Sequence, residues 1–169
     1  MFARACLLVL LAAAGTRASP MRAGTQPIWL VLEGLYAAPG GEPSRGGGAG
    51  VRAGYRVTDQ VSAALGFETL FARGGPVTGI SAGFEAMLDS TPIAPFLELS
   101  LVRADPFSRA GFSLAQRSGF GADWKLSPAF AVGAVVRYFA PLDAAGPLAG
   151  TGIAGIEFGL RIVLVPGAF

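Results

Sequence analysis

Histidine is absent from this sequence, cysteine occurs once, at Cys6, and lysine once, at Lys125. Without histidine there is no Ser-His-acid triad and no imidazole to bind a metal. Carboxylate, Ser or Tyr chemistry would remain, but no constellation of those residues stands out. The expectation is therefore no enzyme, no catalytic residue, no cofactor and no metal site. Charge is also scarce, at 14% of residues, against roughly 25% in soluble domains. Long apolar runs are missing too: beyond the N-terminal segment the longest charge-free stretch, Ala144 to Ile156, is broken by Gly and Pro, and a membrane helix needs about 18 or more apolar residues.

The N-terminal segment reads as an export signal. Arg4 supplies the positive start, Ala5 to Ala14 the apolar core, and Gly15, Thr16 and Ala18 the small residues before a cut. Cleavage after Ala18 divides the chain into a signal peptide, 1–18, and one mature domain, 19–169. Cys6 sits inside the apolar run rather than after it, so lipidation there is not expected. It leaves with the signal, and the mature chain then has no disulfide framework, thiolate metal site or Cys nucleophile. Loss of Arg4 and Arg17 reduces 13 basic residues to 11, equal to the 11 acidic ones. No basic field remains for nucleic acid.

What is abundant is glycine, 25 of 169 residues, about twice the usual share of roughly 7%. A chain hydrophobic overall but without helical spans points to the closed barrel, the other structure that satisfies its backbone in lipid. Read at period two, the mature chain breaks into eight segments with one apolar face and one face of Gly, Ser or isolated charge. They cover about Gln26–Ala38, Gly47–Val57, Val61–Phe71, Val77–Leu88, a fifth beginning its regular part near Phe96 because Pro92 and Pro95 lack ladder donors, Ala110–Trp124, Ala129–Phe139 and Ile156–Leu164.

Connections alternate. Thr58-Asp59, Asp89 to Thr91 and Lys125 to Pro128 are short, while Pro39 to Gly46, Ala72 to Pro76, Arg103 to Arg109 and Ala140 to Ala149 are longer or richer in Gly and Pro. Long loops outside and short periplasmic turns suit an outer-membrane barrel with both termini inside. The fold class expected is all-β: an eight-stranded antiparallel up-and-down transmembrane β-barrel behind a cleaved signal peptide.

The stretch Gly121-Ala122-Asp123-Trp124-Lys125-Leu126-Ser127-Pro128 followed by Val132 to Tyr138 resembles the descending strand, periplasmic turn and ascending strand of small outer-membrane barrels of Gram-negative bacteria. The family is the one that includes the membrane domain of outer membrane protein A. The resemblance covers the mature chain by pattern and implies a porin-like cell-envelope protein located in the outer membrane, in contact with its lipid and inserted by the barrel-assembly machinery. A C-terminal Phe169 fits the ending that machinery reads, although Pro166-Gly167 interrupts the last strand and sets Phe169 out of phase with Leu164.

An Arg facing the bilayer midplane costs about 2–4 kcal/mol, so the strand arginines should point inward. Glu33, Arg52, Arg56, Glu68, Glu85, Glu98, Arg117, Asp123, Arg137, Glu157 and Arg161 share that parity and form an expected lumenal charge network, with Glu33 pairing Arg52 or Arg161 on neighbouring strands. The network either fills and neutralises the interior or marks a gate or narrow ion path. Aromatics near segment ends suit interfacial girdles: Tyr36, Phe71, Phe112, Tyr138 and Phe139 toward one rim, Tyr55, Trp124, Phe130, Trp29 and Phe169 toward the other. The Gly46 to Gly50 run lacks the Lys-Ser or Lys-Thr of a phosphate loop and reads as a loop entering a strand.

Three functions stay open. The first is a non-enzymatic outer-membrane barrel with a structural, surface-interaction or adhesion role carried by its loops, whose partner the sequence does not name. The second is a narrow pore or transporter for small solutes. The third is a soluble periplasmic barrel binding an apolar ligand, which would turn Ile80, Phe84, Leu97 and Val132 inward.

Overall fold

The computed structural model describes residues 28–39, 46–72, 75–88, 92–106, 111–142 and 155–166. The proposed signal peptide and Phe169 lie outside them, as do most residues of the longer connections. Eight strands follow in chain order: β1 (Ile28–Pro39), β2 (Gly46–Arg56), β3 (Val61–Ala72), β4 (Gly75–Met87), β5 (Ile93–Pro106), β6 (Ser113–Ser127), β7 (Phe130–Pro141) and β8 (Gly155–Leu164). Each pairs antiparallel with the next, and β8 pairs with β1, closing the barrel. Closure gives every strand two partners and leaves no edge whose backbone groups would need water.

Several strands run further than their sequence pattern suggests. β5 begins at Ile93 rather than near Phe96. Pro95 is tolerated there because it lies close to the strand start, points outward, and uses its carbonyl to accept Leu88 N at 2.9 Å. β6 starts three residues later than Ala110 and continues through Ser127, with a register shift between Lys125 and Ser127. The expected turn from Lys125 to Pro128 therefore narrows to Pro128 and Ala129, where Ala129 N donates to Ser127 Oγ at 3.3 Å. Arg103 to Pro106 extend β5, and Ala140 and Pro141 extend β7, so these parts of the expected loops are barrel wall.

Thr58 holds the β2–β3 turn: its Oγ1 accepts Val61 N at 3.0 Å and Gln60 N at 3.3 Å, a local side-chain bond in place of a ladder bond. At the opposite end Ala72 faces Gly75 across a tight hairpin, and Gly75 has φ 107°, where a side chain would be strained.

Alternation decides which residues fill the barrel. On β8 Gly155, Glu157, Gly159, Arg161 and Val163 are buried while Ile156, Phe158, Leu160 and Ile162 are exposed. The inward glycines make the room that eight strands otherwise lack. A Cβ on Gly54 would lie 2.1 Å from the Trp29 ring, one on Gly121 2.5 Å from the Phe96 ring, and one on Gly119 2.8 Å from Arg137 Cγ. Small residues thus stand opposite the largest inward side chains, which accounts for much of the glycine content.

Candidate functional site

The interior is layered. Val102, Ala104, Ala115 and Phe139 form an apolar cluster at the end carrying the longer connections. Trp29, Val31, Ala131 and Val163 form another at the end of the short turns. Between them lie Glu33, Arg52, Glu68, Glu85, Glu98, Arg117, Asp123, Arg137, Glu157 and Arg161, all buried. Arg56, at the end of β2 opposite Ser62, is only half-buried and lies outside this layer, beyond Gly54 and the Trp29 it faces, at the short-turn end.

The ion pairs of the layer cross the lumen. Arg52 on β2 donates from Nη1 to Glu98 Oε2 on β5 at 2.6 Å and lies 3.8 Å from Glu85 Oε2 on β4. Arg117 on β6 pairs with Glu68 on β3, with Nη2 donating to Ser81 Oγ at 3.1 Å and Nε to Ser100 Oγ at 3.3 Å. Arg137 on β7 donates from Nε to Glu98 and from Nη2 to Glu33 Oε1 on β1 at 2.6 Å. Arg161 on β8 grips both carboxylate oxygens of Glu85, at 3.0 and 3.3 Å. Its Nε approaches Asp123 Oδ1 to 3.2 Å without hydrogen-bond alignment.

Glu33 thus bonds Arg137, two strands away, although Arg161 is its register neighbour. Side chains on the concave wall of a narrow barrel converge toward its axis, so a long guanidinium meets a carboxylate across the lumen. Glu157 stands opposite Arg137 in register. Its Oε2 has no hydrogen-bond partner among the described residues, nor do Arg52 Nη2 and Arg137 Nη1. Charges this deep need partners because an unpaired one costs several kcal/mol.

Trp29 is not an interfacial aromatic. It is 4% exposed, shares the inward parity of Val31 and Glu33, and its ring lies 6.0 Å from the Arg161 guanidinium. Phe96 sits closer to the same guanidinium, at 4.1 Å, within cation–π range. Phe139 is likewise buried, in the apolar cluster rather than on the rim. Alternation carried the signal in each case: Trp29 and Phe139 are odd-numbered neighbours of Glu33 and Arg137, and Gly54 faces Trp29 in register. Tyr36, Tyr55, Phe71, Phe112, Trp124 and Tyr138 are exposed on the outer surface, and Phe130 is half-buried on the outward parity.

The outer wall is apolar. Leu160 is 73% exposed and Leu65 66%, accompanied by Phe67, Ile80, Phe84, Leu101 and Phe120. A soluble barrel would hide such a surface, since monomers in water rarely expose contiguous apolar patches of this extent. The inside-out alternative fails on the same residues: Ile80 and Phe84 face outward, Leu97 and Val132 share their outward parity, and the interior is charged. With hydrophobes outside and ion pairs inside, the molecule is a membrane barrel. Among the described residues no group of His, Cys, Asp or Glu could hold a metal ion.

Comparison with known proteins agrees at the level of fold. No protein-family model matches the chain, and no curated protein does. Among solved structures, Neisserial surface protein A aligns with a TM-score of 0.57 at 17% identity, covering 82% of this chain and 95% of that one. The N-terminal β-barrel domain of Pseudomonas aeruginosa OprF gives 0.56 at 16%, covering 80% and 96%. The outer membrane protein OprG of Pseudomonas aeruginosa gives 0.52 at 10%, covering 86% and 92%. The chain therefore has the fold of the small eight-stranded outer-membrane β-barrels.

Proposed function

We propose that the chain is an integral outer-membrane protein with a structural or surface-interaction role, non-enzymatic, whose lumen is closed and whose extracellular connections contact its partners. The observation that carries this reading is the filled interior: a layer of cross-lumen ion pairs between two apolar clusters. On this reading the packing stabilises a scaffold and gives solutes no continuous polar path. It also removes the need for a ligand to fill the barrel. Specificity then falls to the connections at 40–45, 107–112 and 142–154, which join strands held rigid by closure. Lipid surrounds the wall, and the barrel-assembly machinery inserts it.

The test is an epitope inserted within 143–154, probed on intact cells with an impermeant antibody. Labelling of intact cells supports a surface role for these connections. Labelling only after the envelope is opened would contradict it. A narrow pore is the second reading, motivated by ionisable residues within a membrane span, and single-channel recording separates the two.

A further inference from the structure

The outward positions of β7, β8, β1 and β2 hold only apolar residues and glycine, from Phe130, Val132 and Leu160 to Leu32 and Val51. Polar departures gather on the other side of the barrel. Thr69 on β3, Thr78 on β4, Arg103 and Asp105 on β5, and Gln116 and Ser118 on β6 all take outward positions. Thr69 faces Thr78 and Thr78 faces Asp105 in register, while Gln116 faces Leu101. All six lie in the halves of their strands nearer the longer connections, the end that also carries the exposed Phe71, Phe112 and Tyr138, aromatics that suit a membrane–water interface.

Arg103 and Asp105 are the charged residues of the outward strand positions among the described residues. The side chains are 56% and 39% exposed. Asp105 braces one edge of the guanidinium, with Nε 3.3 Å from Oδ2 and Nη2 donating to Oδ1 at 3.4 Å. The Phe112 ring covers one face at 4.4 Å, and Thr78 Oγ1 donates to the Asp105 carbonyl at 3.3 Å, tying β4 to this corner. The cation is thus oriented by an acid and a ring, with the exposed Leu114 opposite it in register and the exposed Leu101 next on the same face of β5 as an acyl-compatible surface.

We infer that this corner of β4–β6 binds the phosphate of an anionic lipid headgroup, with Arg103 as its anchor and Phe112 against the first carbons of the lipid. The inference rests on the membrane reading above. A guanidinium meets phosphate through paired N–H donors, and its charge complements the phosphate plane at that height. A second copy of the chain is less well served, since it would bring an equally neutral Arg103–Asp105 pair to the corner, whereas an anionic phosphate brings a full negative charge and acceptor oxygens only. Asp105 moderates the site: it aims the guanidinium but repels the phosphate. The two residues therefore have opposite effects on binding.

The probe is phosphatidylglycerol, added to the barrel folded in neutral detergent and counted by native mass spectrometry against phosphatidylcholine. The wild type should favour phosphatidylglycerol about fivefold, the preference that ~1 kcal/mol for one basic residue at an anionic surface confers. Arg103→Gln should abolish the preference and Asp105→Asn should increase it, with both variants keeping the heat-dependent gel mobility of a folded barrel. Equal weakening by both substitutions would overturn the proposal, because it would mean the pair acts only as a brace. Competition by millimolar inorganic phosphate as strong as that by the lipid would overturn the lipid assignment, and a dimer lost with Arg103→Gln would assign the corner to a second copy instead. A chain that forms no heat-modifiable barrel in detergent would instead overturn the membrane reading itself.

Discussion

Arg161 reaches from β8 to Glu85 on β4, the strand diametrically opposite, and engages both of its carboxylate oxygens. The pair is a strut across the barrel, and removing one member leaves the other charged and buried. Arg161→Met should cost about 3–5 kcal/mol, while Arg161→Met with Glu85→Leu should recover most of that loss. Urea unfolding of the barrel in detergent, compared across the single and double variants, measures both. Additive losses would show that the two residues do not act as a unit.

Gly54 and Trp29 form a second dependency, steric rather than ionic. A Cβ at position 54 would lie 2.1 Å from the indole, so Gly54→Ala forces the ring out of its place. The overpacking should cost about 1–3 kcal/mol and expose Trp29 to quenchers of its fluorescence. Adding Trp29→Ala should relieve the clash. A Gly54→Ala barrel of unchanged stability would contradict the packing.

Lipid exposure predicts a depth dependence that no soluble barrel would show. Leu160 lies midway along β8 and is 73% exposed. Leu160→Arg should cost about 2–4 kcal/mol of insertion stability, and Leu126→Arg, near the turn end of β6, about 0–1. Refolding into vesicles across a urea series measures the difference. Equal, negligible costs at the two sites would mean that the wall does not face lipid.

Arg137 ties Glu33 on β1 and Glu98 on β5 to β7 through one guanidinium. It is the residue whose loss should open the lumen most. In planar bilayers the wild type should show no steady current and Arg137→Ala should conduct. A conducting wild type would favour the pore reading.

Much of this architecture is legible in the sequence because a strand's period is two and lipid tolerates no charge near its midplane. The alternation Gly48, Gly50, Arg52, Gly54, Arg56 against Ala49, Val51, Ala53, Tyr55 displays the two faces of β2 without any structure. Partners were less legible. Register puts Arg161 beside Glu33, whereas curvature delivers Arg137 to Glu33 and Arg161 to Glu85. The reach of a guanidinium across a narrow lumen is a property of the closed shape, which pairwise strand reasoning does not contain.

Trp29 shows a different kind of error. Its position near a strand end and its amphipathic ring suggest a girdle, and composition arguments favour that reading. Parity argues the reverse, and the gap left by Gly54 makes the inward position possible. The start of β5 is misread from the sequence because Pro95 is taken as a stop, although an outward proline close to a strand start costs the ladder little.

The most direct measurement is fractionation of cells expressing the full chain, followed by gel mobility of the detergent-extracted protein with and without boiling. Recovery with the outer membrane and a heat-dependent shift in mobility are the predicted results. A soluble periplasmic product whose mobility ignores heating would contradict the account.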